Sequence, residues 1–258
     1  MSFALKRTFP KIYNFLKKYE KYIPFSIYLW DQKKYILNLR IVSMLRLWKS
    51  WPRLKKEAEV VFEAYKSGDF IDVGASHGVY SFLLAPKAKI QDTFVLCEPD
   101  PNVKKELTDN LNVLKKSFKN ISFYFTPEPI GDGNSVVKNP TIYGHPVYSS
   151  EKNEINTLKN KKEIYTSVRI DSLVKKLELK PTFVKIDVEG AEFSILQGMS
   201  DTLKNHKPLL MLEKHPTLIP KNIAINDIDN FLDKNGYKVE YAIFRDDITI
   251  TELWKNYT

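Results

Sequence analysis

The spacing of apolar positions changes character along this chain. Over residues 1–66 it is helical: Phe9, Ile12, Phe15, Leu16 and Tyr19 fall on one face with lysines between them. Tyr35 to Trp48 forms a second amphipathic stretch, carrying Ile36, Leu39, Val42, Met44, Leu45 and Leu47. Aromatic residues crowd Tyr22 to Trp30 around Pro24, and Pro52 breaks the pattern before a further helix over Leu54–Tyr65. From Phe70 onward, short apolar runs alternate with amphipathic stretches. The runs at 70–73, 93–97 and 121–125 predict strands, and 78–85 and 100–116 predict the helices between them.

Residues 126–162 interrupt this rhythm with Pro127, Pro129, Gly131, Gly133, Pro140, Gly144 and Pro146. An irregular insertion of that length has the character of a functional lid or of a disordered segment. The alternation then resumes with a strand at 163–170 and a short helix opening at Asp171-Ser172-Leu173. A strand at 182–187 leads to a helix from Ala191 to about Leu203. The next strand, 207–213, has Pro208 at its start, where no ladder donor is needed. Helix 224–235 ends at Gly236, and strands 237–244 and 248–254 flank the turn Arg245-Asp246-Asp247.

Strand–helix alternation of this kind predicts an α/β fold with a parallel sheet and right-handed crossovers. The expected organisation is a helical extension over 1–66 followed by one α/β domain over 67–258. The extension either caps that domain and lines a pocket, the preferred reading, or makes peripheral contact with an anionic membrane.

Composition adds little to this picture. A net charge of +9 and a pI of about 9.3 suit acidic partners such as nucleic acid, anionic lipid or phosphorylated sugars. The lysines are spread along the whole chain, however, which is the pattern of a solvated surface. The single cysteine, Cys97, sits inside an apolar strand and excludes an intramolecular disulfide. That favours a reducing, cytoplasmic setting. No apolar run approaches the ~18 residues of a spanning helix, and the basic, aromatic N-terminus lacks the pattern of a signal peptide.

The candidate chemistry lies at strand ends. Phe70-Ile71-Asp72-Val73-Gly74-Ala75-Ser76-His77-Gly78 reads as a buried strand that breaks into a glycine turn and opens a helix. Such a corner puts backbone N–H groups and a positive helix end at the carboxyl edge of a sheet. Its spacing is D-x-G-x-x-x-G, not the G-x-G-x-x-G of a dinucleotide fold, and the Gly-Lys-Ser/Thr of a phosphate loop is absent. The second strand ends in Leu96-Cys97-Glu98-Pro99-Asp100-Pro101, an acid where an adenosine ribose would be held. The fourth ends in Phe183-Val184-Lys185-Ile186-Asp187-Val188-Glu189-Gly190-Ala191-Glu192.

The first of these motifs resembles that of class I S-adenosylmethionine methyltransferases, and the three together resemble the FkbM family. That family carries a DVGAN-like first motif, an EPNP-like second and a KIDVEGAE third. The third is matched literally from Lys185 to Glu192; Ser76-His77 replaces an Asn-Ile pair, and Asp100 an Asn. The resemblance covers about Gly68 to Pro216. It implies a Rossmann-like class I methyltransferase fold, a mostly parallel seven-stranded sheet finished by an antiparallel C-terminal hairpin. It also implies S-adenosylmethionine as cofactor and O-methylation of a hydroxyl on a sugar, glycan or small metabolite.

On this reading Asp72 fixes the glycine turn or meets the ligand's ammonium through water. Gly74, Ala75, Ser76 and Gly78 present backbone, His77 shields the donor, and Tyr80 and Ser81 cap the site. Glu98, followed by Pro99, accepts the ribose hydroxyls, while Gly131 and Asp132 lie where adenine would. Asp187 ends the fourth strand beside the donor methyl, a candidate for both donor binding and catalysis: it holds the donor's ammonium, acts as base or contributes a metal ligand. Glu189 at the next helix start and His215 after the fifth strand complete the catalytic candidates, His215 as a base near neutral pH. Asp187, Glu213 and His215 could together bind a divalent ion, but no fixed ligand spacing supports one, so no metal is assigned. The expected acceptor is a small molecule or carbohydrate. RNA methylation is the rival that the charge encourages, although no Asn/Asp-Pro-Pro-aromatic motif follows the fourth strand. A non-catalytic scaffold for glycan assembly is the rival from another class.

Overall fold

The computed structural model describes residues 10–134, 136–138, 147–149, 164–220, 223–244 and 249–258. Seven strands form one mixed sheet in the order β11-β12-β10-β9-β3-β4-β5. These are β3 (Asp69–Val73), β4 (Thr93–Cys97), β5 (Ser122–Thr126), β9 (Pro181–Ile186), β10 (Leu209–Lys214), β11 (Tyr237–Phe244) and β12 (Ile250–Asn256). The first five are mutually parallel; β12 runs antiparallel to both β10 and β11. This is the mostly parallel seven-stranded sheet with an antiparallel finish that the resemblance implies. The Arg245-Asp246-Asp247 turn lies outside the described residues.

Alternation along each strand splits the core in two. Phe70, Phe94 and Phe183 face one side, where they pack with Phe82 and Leu83 of α4 (Val79–Leu84) and Leu107 and Leu111 of α5 (Pro101–Ser117). Ile71, Val95, Val184 and Ile186 face the other. There they meet α6 (Ile170–Lys176), α7 (Glu192–Gln197), α8 (Ser200–His206) and α9 (Ile225–Lys234).

The N-terminal region departs from an all-helical expectation. Between α1 (Pro10–Tyr19) and α2 (Leu39–Ser50) stands an antiparallel hairpin of β1 (Pro24–Tyr28) and β2 (Lys34–Asn38). Its apolar residues follow hairpin pairing and not a helical face: Ile27 stands opposite Tyr35 and Leu37 opposite Phe25, and of these only Ile27 and Leu37 are fully buried. The Asn38 side chain then accepts the Ile41 N–H and starts α2. With α3 (Pro52–Ala64), α2 sends Ile41, Val42, Leu45, Val61 and Phe62 into the same core as Phe70 and Phe82.

Two further expectations change. The helix predicted over 191–203 breaks into α7 and α8 at Gly198, which passes so close to Gly131 that an added Cβ would lie 1.9 Å from its carbonyl oxygen. The strand predicted at 163–170 shortens to β8 (Ile164–Thr166), which joins β6 (Val136–Lys138) and β7 (Val147–Ser149) in a small antiparallel sheet ordered β7-β6-β8. Most of the 126–162 insertion lies outside the described residues.

Candidate active site

Strands β3, β4, β9 and β10 end together at one edge of the sheet. The glycine turn is anchored there: Gly74 and Ala75 donate to the Cys97 carbonyl at 2.9 and 3.0 Å, and Asp187 donates to the Val73 carbonyl at 3.1 Å. Gly74 adopts φ +77°, and a Cβ on it would lie 1.9 Å from the Asp187 carbonyl oxygen. The turn is thus pressed against the end of β9 by a contact only glycine allows. Glu98, 5% exposed, accepts the Ser76 N–H at 2.8 Å and the Asp100 N–H at 2.9 Å. Burial raises its pKa, and those two N–H groups pull it back. Glu98 therefore ties the second strand to the turn, besides standing where a ribose was expected. Half-exposed Pro99 follows it.

Beneath the turn lies a buried ion pair. Asp72 and Lys185 are direct neighbours across β3 and β9, and their side chains meet at 3.3 Å with 0% and 2% exposure. Lys185 also donates to the Gly74 carbonyl at 2.6 Å and stands 3.5 Å from Asp187 and 5.3 Å from the Tyr80 ring. Burial works against its charge, but Asp187, Asp72 and Glu213 outweigh it and raise its pKa. Asp72 is pushed up by burial and pulled back by Lys185. So Asp72 supports the turn from below, without reaching the edge. Tyr80 is buried with its hydroxyl on Glu57 of α3, and Ser81 is buried inside α4.

Beside the turn, Asp187, Glu213 and His215 bring one ligand atom each to within 4.8 Å of one another. Their convergence follows from alternation and parallel pairing. Lys185 and Asp187 share a face of β9, Glu213 and His215 share that face of β10, and Ile186 pairs with Leu212. His215 Nδ1 is 2.8 Å from buried Glu192, while Nε2 is 3.4 Å from Glu213 and 3.9 Å from Asp187. Burial works against the imidazolium, but Glu192, Glu213 and Asp187 outweigh it and push the pKa up to about 10. In this setting the ring already carries its proton at neutral pH, which is not the state of a free base. Glu189 sits in the turn after β9 at φ +50°.

Gly131 and Asp132 are pinned elsewhere on the loop after β5. Gly131 donates to the Val168 carbonyl at 3.0 Å, Asp132 donates its N–H to the Ser194 hydroxyl at 3.1 Å, and the Asp132 carbonyl accepts from Arg169 at 3.2 Å. His77 points toward the extension. Its ring contacts Ser76 at 2.9 Å, and it lines a cavity of about 350 Å³ with Lys17, Glu20, Arg40, Glu106 and Asn110.

The description "Methyltransferase FkbM domain" fits residues 72–239, more than half of the chain. The chain belongs to the FkbM methyltransferase family. Its donor is S-adenosylmethionine. A curated relative, the hexuronic acid methyltransferase AglP of Haloferax volcanii, is 26% identical over 206 residues, which span 74% of this chain and 75% of that one. An FkbM methyltransferase from Methylobacillus flagellatus superposes with a TM-score of 0.50 at 18% identity, covering 73% of this chain and 44% of the longer neighbour. A precorrin-6y C5,15-methyltransferase from Geobacter metallireducens, 13% identical, covers 80% of this chain and 88% of that one with a TM-score of 0.42.

The residues at the FkbM edge suit that donor. It carries two positive groups and a ribose diol, and the edge presents Asp187 and Glu98, the latter with lone pairs left over after two N–H bonds. The sequence reading leaves out Lys185 and Glu57 as site residues. The first had a signal: a lysine amid Phe183, Val184 and Ile186 is a charge inside a buried strand, and such charges are paired. Glu57 had none, since only the packing of α3 on α4 brings it to Tyr80.

Proposed function

We propose that this FkbM protein methylates an oxygen of an acidic sugar, with a hexuronic acid as the acceptor class. The similarity to a hexuronic acid methyltransferase over 74% of the chain carries this reading. The cavity between the extension and the glycine turn supports a sugar acceptor, because its lining of Lys17, Glu20, Arg40, His77, Glu106 and Asn110 is polar, with Lys17 paired to Glu20 at 2.8 Å and Arg40 to Glu106 at 3.3 Å, and sugar hydroxyls hydrogen-bond to such groups.

Bound S-adenosylmethionine supplies an electrophilic methyl group on a sulfonium. The chain's task is to hold the acceptor oxygen in line with it and to accept a proton where the acceptor is a hydroxyl. Glu98 orients the ribose and, through Ser76, the turn that carries the donor. Asp187, with its side chain 25% exposed at the edge, supplies the negative charge next to the reacting carbon. Glu189 and His215 flank it, His215 as a cation or ligand and not as a free base.

The test uses purified protein, labelled S-adenosylmethionine and three acceptor sets: hexuronic acid glycosides, neutral glycosides and small RNAs. Label entering the hexuronic acid set is expected. Asp187→Asn should lower that turnover by about 10²–10⁴-fold with a melting temperature nearly unchanged. Donor binding with label entering RNA alone would overturn the acceptor class, and failure to bind the donor would overturn the activity.

A further inference from the structure

We propose that Asp187, Glu213 and His215 form a binding site for a divalent cation of the manganese–magnesium class, whose open positions take oxygens of the methyl acceptor. The acceptor half of this inference rests on the function proposed above; the cation site does not.

Three observations point to an ion. The first is convergence: an imidazole nitrogen and two carboxylate oxygens, from the ends of two adjacent strands, lie within 4.8 Å of one another. Donors around a six-coordinate ion with bonds of about 2.1 Å sit roughly 3.0 Å apart in cis and 4.2 Å in trans. The measured 3.4 Å from His215 to Glu213 and 3.9 Å from His215 to Asp187 fall in that interval. They are longer than the ~2.7–2.9 Å of a charge-assisted hydrogen bond.

The second is how His215 is held. Glu192, with 0% exposure, takes Nδ1 at 2.8 Å and leaves Nε2 aimed at the two carboxylates. A carboxylate behind the far nitrogen is the usual support of a metal-binding histidine, fixing its tautomer and raising its basicity. The other oxygen of Glu192 is buried with no hydrogen bond, so the support is itself rich in negative charge.

The third is charge. Among the described residues, Asp72 and Asp187 stand 3.3 and 3.5 Å from Lys185, which is held at 2.6 Å by the Gly74 carbonyl, while Glu192, Glu213 and Asp187 surround His215, so that four carboxylates share one lysine and one imidazole. A divalent ion at the triad takes the place of the Nε2 proton of His215 and offsets the remaining surplus.

The donor set narrows the ion. Two carboxylates suit magnesium, calcium and manganese, and one imidazole, a ligand of transition metals, favours manganese among those three. Three protein donors leave about three positions of an octahedral ion for water or an acceptor. Hydroxyl and carboxylate oxygens of a sugar acid are hard ligands that fit them. Asp187 also adjoins the Gly74 turn, which places those positions at the donor side of the crevice.

The measurement is manganese binding by electron paramagnetic resonance on chelator-treated protein, without donor or acceptor. One ion per chain is expected. Glu213→Gln and His215→Asn should each weaken binding at least tenfold, and Glu192→Gln by about 10–100-fold through the loss of its support. Glu240→Gln, far from the triad, serves as control. Circular dichroism establishes that each variant is folded, and Glu213→Gln and Glu192→Gln keep the test open if His215→Asn is not. No binding at about 1 mM manganese, the weak end of functional divalent sites, would overturn the site. So would binding that Glu213→Gln and Glu192→Gln leave unchanged. With a hexuronic acid acceptor, chelation should raise KM at least tenfold and added manganese should restore it. An unchanged KM overturns the acceptor half alone, and transfer to RNA alone overturns the proposed function while leaving the cation site standing.

Discussion

At the scale of single residues, the site is held by charges that the fold has buried. Lys185 and Asp72 are almost wholly enclosed, so the removal of one strands the other. Lys185→Met should cost about 3–5 kcal/mol of stability, read by urea denaturation, and adding Asp72→Asn should recover part of it. A loss below about 1 kcal/mol would mean that the pair is not enclosed as described. Glu98 combines two duties. Glu98→Ala is expected to weaken S-adenosylmethionine binding tenfold or more. It should also destabilise the protein, since each N–H bond to a charged group contributes ~1.5–3 kcal/mol. Sequence alone suggested the first effect without the second, because the bonds to Ser76 and Asp100 appear only when the turn folds over β4. His215 gives a pH signature in chelator-treated protein. Its pKa is raised from an ordinary 6.5 to about 10 in the fold. The folded state therefore holds the proton more tightly, and this contribution is fully present below pH 6.5 and fades as pH rises toward 10. His215→Gln should flatten that decline in a denaturation series; an unchanged slope would refute the assignment.

At the scale of elements, most strands were legible because buried parallel strands are apolar throughout, and their runs stand out in any order. What periodicity cannot supply is which strands are neighbours. The Asp72–Lys185 pair needs β3 beside β9, and the triad needs β9 beside β10 in register. Those adjacencies are set by crossovers and by β12 entering between β10 and β11. The hairpin of β1 and β2 is hard to read for a different reason: Tyr28 and Ile36 lie on its exposed side, and Phe25, on the side of Ile27 and Leu37, is still 39% exposed, which blurs the alternation. The break between α7 and α8 was hidden too, since Gly198 is tolerated in a helical pattern and only its contact with Gly131 explains it. Gly198→Ala should cost about 1–3 kcal/mol, as overpacking does, and shift the Gly131–Asp132 loop. A wild-type melting temperature would show that the loop yields freely.

At the scale of the molecule, the question is whether residues 1–66 are an attachment or part of the domain. The family match begins at residue 72, which suggests an attachment. The packing argues otherwise. Ile41, Val42 and Leu45 are at most 1% exposed and share one core with Phe70, Phe82 and Phe94 of the sheet layer. Burying each such side chain contributes on the order of 1.5–3 kcal/mol, so these three alone rival the 5–15 kcal/mol that typically separates a folded domain from its unfolded chain. Glu57 adds a polar tie, accepting from Tyr80 and lying 3.5 Å from the hydroxyl of Thr251, the register partner of Glu213. The extension is thus coupled to the layer that carries the triad. We expect one cooperative unfolding transition for residues 1–258, with tryptophan fluorescence and far-UV circular dichroism coincident. Trp48 and Trp30 report mainly on the extension, and Trp254 on the sheet. A protein lacking residues 1–66 should lose that transition and donor binding together. Two separated transitions, or a truncated protein that melts normally and binds S-adenosylmethionine, would show that the shared core is not needed and that the extension is an attachment after all.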